Sequence, residues 1–197
     1  MDYEAPGATA GHDPSESQVA RQLTYYVQVA RNIHQSMAIW GSFKSRESTL
    51  AIDQTFIGHD ADFAMWLREM PGDMQIVYPP DGSTPWIPSH ETANMHIYHF
   101  QSVIIHFRPR LQDGRTSLDG LWEQHFSICY TAAKNICRLQ EAIISTPGMP
   151  GLAGVVRGID FHIYAGLTCI MVYSVRRTDT PAKTLANETR KLLPTQA

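Results

Sequence analysis

A chain of 197 residues, 43% hydrophobic and 18% charged, carries enough apolar side chains for one large or two small packed domains, which excludes global disorder. Its formal net charge of −3 argues against a module that binds nucleic acid directly, since such modules are typically basic. The three cysteines, Cys129, Cys137 and Cys169, are too few and too widely spaced for a disulfide framework or a zinc site, which fits a reducing compartment.

Residues 1–14 are rich in Gly, Ala, Pro and Asp and are expected to be a disordered N-terminal segment. They lack the basic and then apolar run of a secretion signal. A helical region is expected over 15–177 and a polar tail over 178–197. The first helix starts near Ser15 or Ser17, places Val19, Leu23, Tyr26, Val27, Ala30, Ile33 and Met37 at helical spacing, and is expected to stop at Gly41. A second helical stretch reads from Glu47 to Met70, with Ile52, Phe56, Phe63, Trp66 and Leu67 on its apolar face and a possible break at Gly58; Pro71-Gly72 ends it. Residues 73–88 read as a proline-rich loop with Trp86 as an aromatic plug packed on the core.

The chain is organised around Ser89–Leu111. Ser89 can cap a helix by accepting from its exposed amides, and Ile97, Phe100, Ile104 and Phe107 follow at spacings of three and four as one apolar stripe. Met95, Tyr98 and Ile105 make a second line, so the helix is apolar on most sides and is expected to be buried. Pro109 should end it, which puts Arg108 in the last turn, where a cation suits the negative end of the helix dipole. Beyond a turn at Asp113-Gly114, Ser117 or Asp119 caps a helix with the cleanest amphipathic pattern: Leu121, His125, Ile128, Cys129, Ala132, Ala133, Ile136, Leu139 and Ile143. A loop at 146–154 leads into a segment over 159–177 whose β-branched content also permits a strand but whose length favours a helix; it is apolar nearly all round and therefore expected to be central, closed by Arg176-Arg177. The one long apolar run, Gly158 to Val175, is interrupted by Asp160 and His162 and falls short of the roughly 20 residues a bilayer requires, so no membrane span is expected. The fold class is all-α, about five helices joined by Pro- and Gly-rich loops.

No catalytic set stands out. His99, Ser102 and His106 share a face of the organising helix, with His96 nearby; two histidines so spaced can hold a metal only with further ligands, and packed or solvated imidazoles are the plainer reading. Cys129 and Cys137, two turns apart, read as small buried thiols, since nothing adjacent in sequence would lower a thiol pKa. Gly151 to Gly154 lacks the preceding strand and the following Gly-Lys-Ser/Thr of a phosphate loop.

The segment Met95-His-Ile-Tyr-His-Phe-Gln-Ser-Val-Ile-Ile-His-Phe-Arg108-Pro109-Arg-Leu111 resembles the helix of the fungal-specific transcription factor domain, the middle homology region of zinc-cluster regulators. Neighbouring pieces agree in order. Val27-Gln-Val-Ala-Arg31 resembles an earlier family helix, Trp66-Leu67 precedes Pro71, and Cys129-Tyr-Thr-Ala132-Ala133-Lys-Asn-Ile136 fits the helix after the Arg-Pro. Phe107 stands where the family more often has His or Tyr, and the zinc cluster, with its six cysteines beginning Cys-x2-Cys-x6-Cys, has no counterpart.

The resemblance implies an all-α regulatory domain, located in the nucleus, that modulates transcription by sensing a small effector or by contact with co-regulators. Arg108, Pro109, Cys129, Ala132 and Ala133 are its motif residues, in structural roles. It implies no cofactor in this chain, zinc belonging to the missing module, and DNA contact only through such a module or a partner. The chain is expected to be a piece of a larger regulator, or a truncated product, and to self-associate. The rival expectation is an independent helical protein that pairs with a full-length regulator and inhibits it. A third, a small helical enzyme, is weakened by the missing catalytic set.

Overall fold

A computed structural model describes residues 14–44, 61–113, 122–146, 148–154 and 158–192. The described residues form an all-α bundle: α1 (Pro14–Lys44), α2 (helical over 61–69), α3 (His90–Asp113), α4 (Trp122–Ser145), the short α5 (Met149–Ala153) and α6 (Gly158–Leu192), with one 3-10 turn at Gly72–Met74. The strand-like feature among them is a single antiparallel bridge between Val77 and Trp86.

α3 is the central element, as its two apolar lines require. It packs against α1 on one side and α4 on another, and α4 in turn carries α6, while α5 fits among α3, α4 and α6. From Thr92 to Ile97 every side chain is buried, and from His99 to Ile104 likewise. Ser89 caps the helix: its Oγ accepts from the Thr92 amide at 3.2 Å, and the Ala93 amide donates to the Ser89 carbonyl at 3.0 Å.

Two apolar clusters result. The larger joins Ile97, Phe100, Ile104, Phe107 and Leu111 of α3 to Cys129, Ala133, Ile136, Leu139 and Ile143 of α4 and to Ala165, Cys169 and Val172 of α6. The smaller, at the α1–α2–α3 junction, holds Val29, Trp66, Met70, Met74 and Met95, with Tyr25, Tyr26, Ile33 and Tyr98 packed around it.

Several expected boundaries are corrected. α3 does not end at Pro109 but runs on to Asp113, so Arg108 lies inside the helix, half-buried, rather than in its last turn. The physical reason is that the stripe continues: Leu111 is 7% exposed in the main core, and its carbonyl accepts from the Trp122 indole at 3.3 Å. Burying a leucine contributes about 1.5–3 kcal/mol, comparable to the ~3 kcal/mol that an internal proline costs. α1 likewise passes Gly41 to reach Lys44, because Ile39 is buried in the core and an internal glycine costs only about 1 kcal/mol relative to alanine.

α6 is peripheral, not central. Gly158, His162, Ala165, Thr168, Cys169 and Val172 face inward at helical spacing, while Ile159, Ile163, Tyr164, Leu167, Ile170 and Met171 lie on solvent-exposed surface. Nor do Arg176-Arg177 close it; the backbone continues as helix through the expected polar tail to Leu192. The loop expected at 146–154 contains α5. Expectations for 1–13, for the stretch 47–60 and for the Ser117 or Asp119 cap lie outside the described residues.

The segment between α2 and α3 is held by backbone bonds and by two cations, of which Arg21 of α1 pairs with Asp73 at 2.8 Å. Val77 and Trp86 exchange amide–carbonyl bonds of 3.2 and 3.0 Å, and the turn between them closes through the Gly82 amide on the Pro79 carbonyl. Gly82 takes φ +82°, where a side chain would be strained. Trp86 is not the expected plug: it is 60% exposed, and Pro85 is the buried residue. An alternating bridge explains this, since successive side chains point to opposite faces. Arg138 of α4 donates to the Pro79 and Ser83 carbonyls at 3.3 and 2.6 Å and lies 5.2 Å from the Tyr78 ring centroid.

Candidate functional site

The histidines of α3 are drawn into the α1–α2–α3 junction, where they act as polar-tipped aromatic packing. His99 stacks on Trp66 with centroids 4.2 Å apart and planes 7° from parallel. His96 meets the same indole edge-on at 5.5 Å, and its Nε2–H donates to the Met74 carbonyl at 3.0 Å. His106 Nδ1 is 3.0 Å from the buried Ser36 hydroxyl of α1, and the ring packs on Phe63 at 5.0 Å. Ser102 returns its hydroxyl to the His99 carbonyl at 2.7 Å. Burial pushes His96 down to about 4 against the pull of the Met74 carbonyl, and burial together with His96 pushes His99 down to about 3. Both rings are therefore neutral at pH 7. Among the described residues no group of three or more His, Cys, Asp or Glu is placed to hold a metal ion.

Beside this cluster lies an apolar pocket of about 420 Å³ between α2, α3 and α4. Phe63 and Leu67 of α2 form one wall and His99, Phe100, Val103 and Phe107 of α3 the floor. Gln124, Ser127, Ile128, Thr131 and Ala132 of α4 close the far side. Its volume falls within the ~300–1,000 Å³ common for small-molecule sites. The lining has three neutral polar groups at one rim and a neutral imidazole opposite, so it suits an uncharged molecule with an apolar body and one or two hydrogen-bonding groups. A charged ligand would lose its hydration with no counter-charge among these lining residues.

Three of the motif residues pack between helices, and Arg108 is half-buried within α3. Cys129, Ala132 and Ala133 are buried where α3 and α4 approach, their small side chains letting the helices come close; Ala132 also lines the pocket. Burial pushes the Cys129 thiol up to about 12, so it is an inert packing group. Arg108 does not join the pocket lining. The expectation that Cys137 is buried is corrected: it is exposed on α4, while Cys169 of α6 is buried with its S–H directed at the Ala133 carbonyl, 3.5 Å away.

A second polar junction was not legible in the sequence. Asn94 donates to the Gly151 carbonyl at 3.0 Å and accepts from His162 Nε2–H at 2.7 Å; Gln140 donates to His162 Nδ1 at 3.2 Å and to its carbonyl at 3.0 Å. This chain ties α5, α3, α6 and α4 together. Gln101 donates to Thr168 Oγ1 at 3.0 Å nearby. Polar residues inside apolar helical faces, Asn94 and Gln101 in α3 and His162 in α6, are the signal that such a junction leaves in sequence. Partners so far apart in the chain cannot be read from it.

No protein-family model matches the chain, and no curated protein or solved structure matches it.

Proposed function

We propose that this chain is the regulatory, middle-homology part of a fungal transcription factor, nuclear in location, which modulates RNA polymerase II transcription through a small apolar effector. The observation that carries the effector half of the reading is the pocket between α2, α3 and α4, concave, apolar and fringed by neutral polar groups. The transcriptional half rests on the ordered resemblance from about Val19 to Val175. An effector seated between three helices favours the packing in which the pocket is open, and a differential affinity for two packings is what a switch requires. Output passes to co-regulators or to a full-length regulator by protein contact. With a net charge of −3 and no zinc-cluster spacing, the chain by itself reads no DNA sequence.

The test places the chain between a heterologous DNA-binding module and an activation segment in a reporter strain. Insertion should restrain the reporter, and Val103→Phe, which fills the pocket floor, should change the restraint without unfolding the chain. In parallel, indole, a small apolar molecule with one hydrogen-bond donor, should raise the melting temperature of the wild-type chain and not of the Val103→Phe variant. A reporter indifferent to the insertion, together with no thermal response to indole or related uncharged aromatics, would overturn the reading. So would selection of a DNA consensus by the purified chain.

A second reading is favoured by the exposed apolar faces of α6 (Ile163, Leu167, Ile170) and α1 (Val19, Leu23, Val27): an independent helical protein that pairs with a full-length regulator and inhibits it. Co-expression with the regulator separates the two, because inhibition in trans without insertion into the regulator belongs to the second reading alone.

A further inference from the structure

The Trp66–His99 stack stands between two cavities. His99 lines the apolar pocket, while Trp66 lines a separate polar cleft of about 220 Å³ between α1 and α2. Gln28, Arg31, Asn32 and Gln35 form its α1 wall, spaced three, one and three residues apart so that all four share one helix face. Asp62, Met65, Trp66 and Glu69 repeat that spacing on α2 and form the opposite wall. The helices run antiparallel: Arg21 pairs with Asp73, the Tyr25 hydroxyl donates to the Glu69 carbonyl at 3.1 Å, and Val29 shares a cluster with Trp66. That register sets the order along the cleft. Glu69 stands at one end, Gln28 and Trp66 come next, Arg31 and Asn32 follow, and Gln35 and Asp62 close the other end.

The packing leaves two features unmatched. Trp66 is 4% exposed, and its Nε1–H has no acceptor among the described residues, an unfavourable state for a buried donor. Arg31 and Glu69 line the same cleft with opposite charges, yet among the described residues the two form no ion pair with each other.

We propose that this cleft binds a free α-amino acid with a small, uncharged polar side chain, its ammonium at Glu69 and its carboxylate between the Trp66 indole and Arg31.

The chemistry of the walls narrows the occupant. A bare anion would meet Asp62 and Glu69, and a bare cation would meet Arg31, whereas a zwitterion sets each of its charges against an opposite one. Glu69 and Trp66 are one turn apart on α2, which puts a carboxylate and an N–H donor side by side, as the adjacent ammonium and carboxylate of an α-amino acid require. The ligand carboxylate accepts from Nε1–H and so supplies the acceptor that the indole lacks. A hydroxyl or amide side chain then reaches Asn32 and Gln35, whose amides both donate and accept. The volume of about 220 Å³ lies below the ~300–1,000 Å³ of drug-sized sites and matches a small molecule.

The experiment titrates the full, ¹⁵N-labelled chain with L-glutamine, L-asparagine and L-serine in turn. The chain has four tryptophans, and the indole N–H signal missing from Trp66→Phe identifies Trp66. At least one of the three amino acids should move that signal saturably. Its N-acetyl and methyl-ester derivatives, which lack the ammonium and the carboxylate charge respectively, should each bind at least about five-fold more weakly. Arg31→Gln and Glu69→Gln should weaken binding of the free amino acid by a similar factor. Both side chains are exposed, and Tyr25 bonds the Glu69 backbone, so both variants should keep the wild-type melting temperature. Calorimetry on the wild-type chain gives the affinities for the free and blocked amino acids whether or not a variant folds. No saturable binding of any of the three below about 10 mM would overturn the proposal. So would equal binding of the blocked derivatives, or wild-type affinity in either charge variant. Binding is read directly, so the outcome is independent of whether the chain regulates transcription.

Discussion

Acidification from about pH 7.5 to about pH 5 should remove about 4 kcal/mol of folding stability through His96 and His99 alone. Both rings have folded pKa values below the ordinary 6.5: about 4 for His96 and about 3 for His99. Above 6.5 neither state binds a proton at these sites, and they cost nothing. Below 6.5 the unfolded chain takes up protons that the folded chain refuses, so stability falls with falling pH. The fall levels off near 4 for His96 and near 3 for His99. At pH 5 the unfolded state is favoured about thirty-fold by each ring, which is about 2 kcal/mol apiece. Against a total stability of about 5–15 kcal/mol, the sum is a large fraction. With a urea slope of about 2 kcal/mol per molar, the unfolding midpoint should drop by about 2 M.

The assay is urea unfolding followed by far-ultraviolet circular dichroism at the two pH values. Its control is a double variant, His96→Gln and His99→Phe. Glutamine can still donate to the Met74 carbonyl, and phenylalanine can still stack on Trp66. The variant should lose most of the acid sensitivity. His162, whose pKa burial also lowers, adds a smaller effect of the same sign and remains in both proteins. A midpoint that does not move with pH would refute the reasoning, and so would a double variant as acid-sensitive as the wild type.

Other expected outcomes follow from burial and contact. Leu139→Ala, at a fully buried site between α3 and α4, should cost about 2–5 kcal/mol in a chemical melt, while Ile144→Ala on the exposed side of the same helix should stay within about 0.5 kcal/mol. Arg138→Ala removes two hydrogen bonds and a ring contact from the 79–83 turn; it should cost about 1–2 kcal/mol and speed proteolysis there, and unchanged cleavage would refute that anchoring role. Arg108→Ala should change stability by less than about 0.5 kcal/mol, because the residue lies inside α3, away from the helix end where its charge would count; a loss above 1 kcal/mol would show otherwise. The exposed Ile163, Leu167 and Ile170 should drive self-association at high concentration, visible by light scattering and reduced by Leu167→Glu; a monomer at all concentrations would rule this out.

Local periodicity determined much of the fold. The stripe Ile97, Phe100, Ile104, Phe107 and the pattern from His125 to Ile143 specify two helices and their inward faces, because a helix repeats every 3.6 residues whatever surrounds it. Ser89 as a cap is equally local, one hydroxyl meeting an amide three residues on. Where helices end was not local. Pro109 and Gly41 are helix breakers by propensity, yet Leu111 and Ile39 beyond or beside them are buried, and that burial offsets the backbone cost. Nor could the apolar surround of α6 reveal that only one face is covered, since hydrophobicity states what a side chain prefers and not what is present to cover it.

The candidate sites depended on tertiary structure still more. His99 and Trp66 stack across 33 positions of sequence, Gln101 meets Thr168 across 67, and Asn94 reaches His162 across 68. In sequence each was a single residue with a bland reading. Their pKa shifts, and the pocket that His99 floors, arise because packing removes water and brings distant groups into contact, and only the arrangement of the helices decides which groups those are.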